Sequence, residues 1–196
     1  MNKFRVVLAV MAALLLSACY PPVTRSPVGT TAAQTPDPVL LGTWKGNSSD
    51  GKPSYFHFLL QRGGTITAII VESGPKAEDW NYVTLTTAAL GANRFMNARM
   101  LLSNGIPEGG DPAVQPNGTV PVLYRIDAKG VLTLSMMDEA ATKAAIRAGK
   151  IKGTIEKGDM GDAVITAAPA ALDKFLQTPA GLALFANPFF TLKKVE

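Results

Sequence analysis

From Leu40 to the C-terminus, apolar and polar residues alternate in short runs that Gly, Asn and Asp interrupt. Phe56/Phe58/Leu60, Ile66/Ala68/Ile70, Val83/Leu85, Met96/Ala98/Met100 and Val120/Val122/Tyr124/Ile126 each line one side of an extended segment. The pattern predicts strands over 43–45, 55–61, 65–72, 82–88, 94–102, 120–126, 131–136, 151–156, 163–167 and 189–195. Arg62-Gly63-Gly64 predicts a hairpin, and Asp127-Ala128-Lys129-Gly130 predicts another. Several opposite strand faces are also partly apolar. One open sheet with a wet side would not show this.

The period changes twice. Asp138 can cap a helix to Ala148, with Glu139, Lys143 and Arg147 spaced i,i+4 and Gly149 ending it. A second helix starts near Pro169 and puts Leu172, Phe175 and Leu176 on one face, with a short restart at Thr178-Pro179. The expected fold class is therefore mainly β (α+β): an antiparallel meander closed as a barrel or sandwich, with two peripheral helices. Segment 103–121 holds four Pro and four Gly in nineteen residues and reads as a long mobile loop.

The N-terminal part follows other rules. Lys3 and Arg5 precede an uncharged apolar run of 11 residues, Val6 to Leu16. About 20 residues are needed to span a bilayer, so the run fits the core of a signal peptide. It ends in Leu16-Ser17-Ala18-Cys19, and Cys19 is the chain's single cysteine. This stretch resembles the lipobox of bacterial lipoproteins. The resemblance implies cleavage before Cys19, a diacylglyceryl thioether on its sulfur and an acyl chain on its new amino group. It also implies anchoring in the cell envelope. Tyr20 stands where Asp would favour inner-membrane retention, so outer-membrane attachment facing the periplasm is expected. Residues 20–39 carry five Pro and four Thr with few large aliphatics. They read as an extended tether that could reach about 60 Å. The expected organisation is thus signal peptide 1–18, lipidated Cys and tether 19–39, and one β-rich domain 40–196.

Composition narrows the chemistry. Of 196 residues 47% are apolar and 17% charged, which suits a folded core rather than disorder. Loss of residues 1–18 would remove Lys3 and Arg5, leaving 17 basic against 15 acidic residues. That weak excess, with the envelope location, gives no case for nucleic acid. A single Cys excludes an internal disulfide, and a single His (His57) removes most triads and metal sites. His57 alternates with Phe56 and Phe58 and reads as a structural residue. Neither a Gly-x-Ser-x-Gly elbow nor a phosphate-binding loop occurs. The best enzymatic candidate is Glu78-Asp79-Trp80, with Glu72 as a possible second carboxylate for sugar chemistry. A polar turn followed by a packed Trp is the simpler expectation. No catalytic, metal or cofactor site is expected.

Gly42-Thr43-Trp44 opens the first strand of the meander and weakly resembles the Gly-x-Trp signature of lipocalins. The resemblance implies an eight-stranded barrel plugged by Trp44 and a small apolar ligand inside. The chain departs from that family by its inserted helix and strand at 138–156 and by lacking the closing Arg motif. Trp44 and Trp80 are the candidate ligand or core aromatics. Lys143, Arg147, Lys150 and Lys152 form the one concentrated basic stretch, read as a solvated helix face or a contact for acidic partners. The expected function is a non-catalytic binding module held to the membrane by Cys19, docking an envelope protein or the cell wall. The alternative is a lipocalin-like carrier of a small apolar ligand.

Overall fold

The computed structural model describes residues 21–29, 36–48, 51–73, 78–107, 118–155 and 163–195. The expected signal peptide, Cys19, most of the loop expected after Ser103 (residues 108–117) and residues 156–162 lie outside them.

Eight strands form one closed antiparallel barrel: β2 (Gly42–Ser48), β3 (Pro53–Leu60), β4 (Ile66–Ser73), β5 (Glu78–Leu90), β6 (Asn93–Ser103), β8 (Val120–Ile126), β9 (Val131–Met136) and β12 (Phe190–Lys194). β12 lies between β2 and β9, and pairing of β5 with β6 completes the ring. That last pairing makes the fold a barrel and not a sandwich. Closure leaves no long unpaired edge among these strands. The Gly63-Gly64 turn after β3 forms as its sequence predicts, with both glycines at positive φ and Gln61 bonded to Thr65.

Alternation decides what fills the barrel. Trp44, Phe56, Phe58, Ile66, Ala68, Leu85, Met96, Val122, Tyr124, Leu132, Leu134, Phe190 and Leu192 point inward and are buried. Phe56 meets Phe190 edge-on at 4.7 Å between ring centroids, so aromatic rings occupy the barrel axis.

A second core lies outside the wall. Phe95 and Leu123 are the outward partners of inward Met96 and Val122. They pack beneath α1 (Glu139–Arg147), α2 (Pro169–Leu176) and α3 (Pro179–Leu182) with Leu172, Leu176, Leu184 and Phe185. This accounts for strands apolar on both faces. Asp138 caps α1 by accepting from the Ala141 N–H at 2.7 Å, and Glu139 pairs with Lys143.

Three boundaries differ from expectation. Segment 78–80 is strand and not turn, because β5 continues along β4 with Asp79 opposite Glu72 and Trp80 opposite Val71. Ser103 does not open the long loop. The chain turns at Asn104-Gly105, and β7 (Ile106–Pro107) pairs back onto β6.

The largest difference concerns the tether, for residues 21–29 and 36–39 belong to the folded domain. β1 (Val23–Thr24) runs parallel to β11 (Ala163–Ile165), which pairs with β10 (Gly153–Ile155) to complete a small three-stranded sheet. Val28 is wholly buried in the second core. Asn97 grips it twice, accepting from its N–H at 2.6 Å and donating to its carbonyl at 2.9 Å. The next N–H, of Gly29, donates to the buried carboxylate of Asp173 at 2.7 Å. Prolines limit this segment to one two-residue strand and one 3₁₀ turn among the described residues. Its remote polar partners nevertheless bind it to the wall.

Candidate functional site

Asp37 lies where the N-terminal segment reaches the Trp44 end of the barrel. Its carboxylate accepts from the Val39 N–H at 3.2 Å and so caps the 3₁₀ turn Pro38–Leu40, with Pro at the first helical position. That turn closes the barrel end: Leu40 is fully buried, and its carbonyl accepts from the Trp44 indole N–H at 2.7 Å.

The outer oxygen of Asp37 faces two strands. Arg94 is the second residue of β6 and Tyr124 lies near the end of β8; they are direct cross-strand partners and therefore share the inner face. The Tyr124 hydroxyl donates to Asp37 Oδ2 at 2.7 Å, and the Arg94 guanidinium pairs with the same oxygen. Thr87 on β5 accepts from the Asp37 N–H at 3.1 Å. Two clefts of about 410 Å³ flank this cluster. Pro36, Thr87, Ala89, Gly91 and Ala92 line one of them, and Val39 and Ile126 line the other.

Electrostatics fix the protonation states here. Burial alone would raise the Asp37 carboxyl, but hydrogen bonds from Tyr124, the Val39 amide and Arg94, with the Arg94 charge, hold it below its ordinary value. Burial and the adjacent Asp37 carboxylate push the Tyr124 phenol well above its usual range. Asp37 is thus an anion and Tyr124 a neutral donor at physiological pH. The Arg94 side chain remains more than half exposed and can offer its other N–H groups to a ligand in the cleft.

The residues singled out from sequence are scattered. Trp44 is buried at the barrel end, with the Lys194 ammonium 5.6 Å from its ring centroid, so a lysine of the last strand stands over the plug. Trp80 is not packed under a turn: it is 38% exposed in β5, with its backbone tied to Asn104. His57 lies half-buried, its Nδ1 3.0 Å from the Thr43 hydroxyl across the β2–β3 ladder. Asp79 does lie opposite Glu72 but accepts from the Asn104 amide at 3.0 Å. Among the described residues, no three His, Cys, Asp or Glu side chains gather as a metal site.

No local sequence signal joins Asp37, Arg94 and Tyr124 into one group. Asp37-Pro38 is a helix-start signature that sequence could have given. Tyr124, a hydroxyl in an otherwise apolar inward row, signalled a need for a buried partner. Compared with known proteins, the chain matches no family model, no curated protein and no solved structure.

Proposed function

We propose that this chain is a lipid-anchored bacterial envelope lipoprotein whose barrel is a non-catalytic binding module. The occupied barrel axis carries this reading. With Trp44, Phe56, Phe58, Phe190 and Tyr124 buried along it, a partner is met at the rim and the outer surface. The clefts beside Asp37, Arg94 and Tyr124 are the proposed contact, suited to a chain from an envelope protein or the cell wall that offers hydrogen-bond acceptors to Arg94. Leu16-Ser17-Ala18-Cys19 supports acylation of Cys19, and Tyr20 in place of Asp supports attachment to the outer membrane facing the periplasm.

Two experiments test it. Labelling cells with a palmitate analogue should mark the wild type and leave Cys19→Ala unmarked; equal labelling would end the lipoprotein reading. A photo-crosslinking residue at Ala92, in the cleft, should give an adduct in intact cells that Arg94→Ala abolishes. An adduct pattern indifferent to Arg94 removes the rim from the function.

One observation favours a lipocalin-like carrier as the second reading: a closed eight-stranded barrel with Trp44 at its end and Lys194 above it. The carrier would hold a small apolar ligand only by displacing inward side chains. Native mass spectrometry separates the two, since a carrier isolated from cells retains a ligand mass and the module does not.

A further inference from the structure

The docked N-terminal segment changes what a lipid on Cys19 would do. Two peptide units separate Cys19 from Pro21, a reach of at most about 7 Å. Pro22 is already buried, and Val23–Thr24 is already a strand. No long tether then stands between the proposed anchor and the folded domain.

The small sheet fixes which surface lies beside the anchor. Parallel pairing sets Val23 beside Val164, and antiparallel pairing sets Val164 beside Thr154. Thr24, Ile165 and Gly153 form the next row. Thr24 and Ile165 are buried in it, so the row of Val23, Val164 and Thr154 faces outward. One step further along, Arg25 bonds through its N–H to the Ile165 carbonyl, and the Lys152 carbonyl accepts from the Thr166 N–H. Arg25 and Lys152 are exposed on that outer side, and Lys150 is exposed beside them. Among the described residues none of the three has an ion-pair partner. Half of the basic stretch noted in the sequence therefore joins Arg25 around an outward row of two valines and a threonine.

We propose that this face, with Val23, Val164 and Thr154 at its centre and Arg25, Lys150 and Lys152 around it, rests on the anionic phospholipid headgroups of the leaflet holding the Cys19 acyl chains. Acyl insertion brings the face to the surface, and the basic side chains add the second, electrostatic attachment. The orientation has a consequence for the rim. Thr24 bonds to Thr119 at the start of β8, whereas Tyr124 lies toward its far end. Residues 21–29 thus run up the wall from the anchored end, and Asp37 lies at the Tyr124 end. The clefts are carried away from the anchored end along β8, about 17 Å from Thr119 to Tyr124, and face the periplasm.

The proposal rests on lipidation of Cys19, and the test keeps the two apart. The full lipidated chain, with Thr154→Cys or Lys129→Cys as its free thiol, is placed in phosphatidylglycerol-containing vesicles and in detergent. Each sample is treated with a membrane-impermeant maleimide. Lys129 lies on the exposed β8–β9 turn at the other end of the barrel. Position 154 should label roughly tenfold or more slowly in vesicles than in detergent, and position 129 at the same rate in both. Adding Arg25→Glu, Lys150→Glu and Lys152→Glu should restore labelling at 154 while the chain still floats with the vesicles. Equal labelling at both positions, protection at both, or protection that survives charge reversal overturns the docked face, with flotation and the acyl mass leaving the anchor intact. A chain that lacks the acyl mass and does not float overturns lipidation itself, and the docked face with it.

Discussion

The Lys194 ammonium lies over the Trp44 indole, 5.6 Å from the ring centroid, where β12 and β2 lie side by side. Trp44 is almost fully buried, and its N–H is spent on the Leu40 carbonyl. The indole therefore ties together β2, β12 and the turn that closes the barrel end. Trp44→Ala should cost about 3–5 kcal/mol through lost burial and a cavity. That is a drop of roughly 10 °C in Tm for a domain of this size. Lys194→Ala removes only an exposed cation–π contact, worth about 0.5–1 kcal/mol. Trp80→Ala, in an exposed stretch of β5, should cost about 1 kcal/mol. Chemical denaturation of the three variants checks the order; a Trp44→Ala midpoint equal to wild type removes the plug.

Sequence alone carried the barrel a long way, since period-2 rows and glycine turns are local signals. Phe56/Phe58 and Ile66/Ala68 face inward as their alternation requires, and the turn between them needs only its own glycines. Legibility failed where distant residues decide. Val28 is fixed by Asn97, 69 positions away, and Gly29 by Asp173, 144 positions away. A composition of Pro and Thr cannot disclose such partners. The rim fails for the same reason, because Asp37 meets Arg94 across 57 residues and Tyr124 across 87. Each residue had an adequate local role, as cap, strand start or core aromatic, and closure of the barrel alone makes them one cluster.

The Asp37 cluster should show itself in acid. Its folded carboxyl titrates below the unfolded value of about 4. Its contribution is fully present above that value and is lost as pH falls through the lower folded pKa. Wild type should therefore lose more stability between about pH 5 and pH 2 than Asp37→Asn, which lacks the charge throughout. Denaturant midpoints across that range decide; parallel curves would show that Asp37 is not held as an anion by Tyr124 and Arg94.

At the alkaline end the sign reverses for Tyr124. Its folded phenol stays protonated above the unfolded value of about 10, so folding loses stability as pH rises past that point. An ultraviolet titration of the folded chain should show a phenol that ionises late in the alkaline range. Tyr124→Phe should remove that late component. If the late component survives the substitution, it belongs to another of the four tyrosines.

Gly29 should not tolerate a single added carbon. Its φ is +75°, in the left-handed region, and a Cβ there would stand 2.3 Å from the Ala88 Cβ on β5. Neither atom belongs to a flexible side chain, so Gly29→Ala must lift the segment from the wall. Lifting it would leave the buried Asn97 side-chain amide without its Val28 partners and take the Gly29 N–H away from the Asp173 carboxylate. Each unmet polar group costs about 1–3 kcal/mol. Asn97→Ala attacks the same contact from the other side, freeing the Val28 N–H and carbonyl. Because the barrel ladder touches neither bond, the loss should be local. Hydrogen exchange should quicken at Val28, Gly29 and Thr24 in both variants, while amides of β2 and β3 keep their protection. Faster exchange throughout the barrel would mean that the segment is integral to the core, and unchanged exchange at Val28 would mean that Asn97 does not hold it.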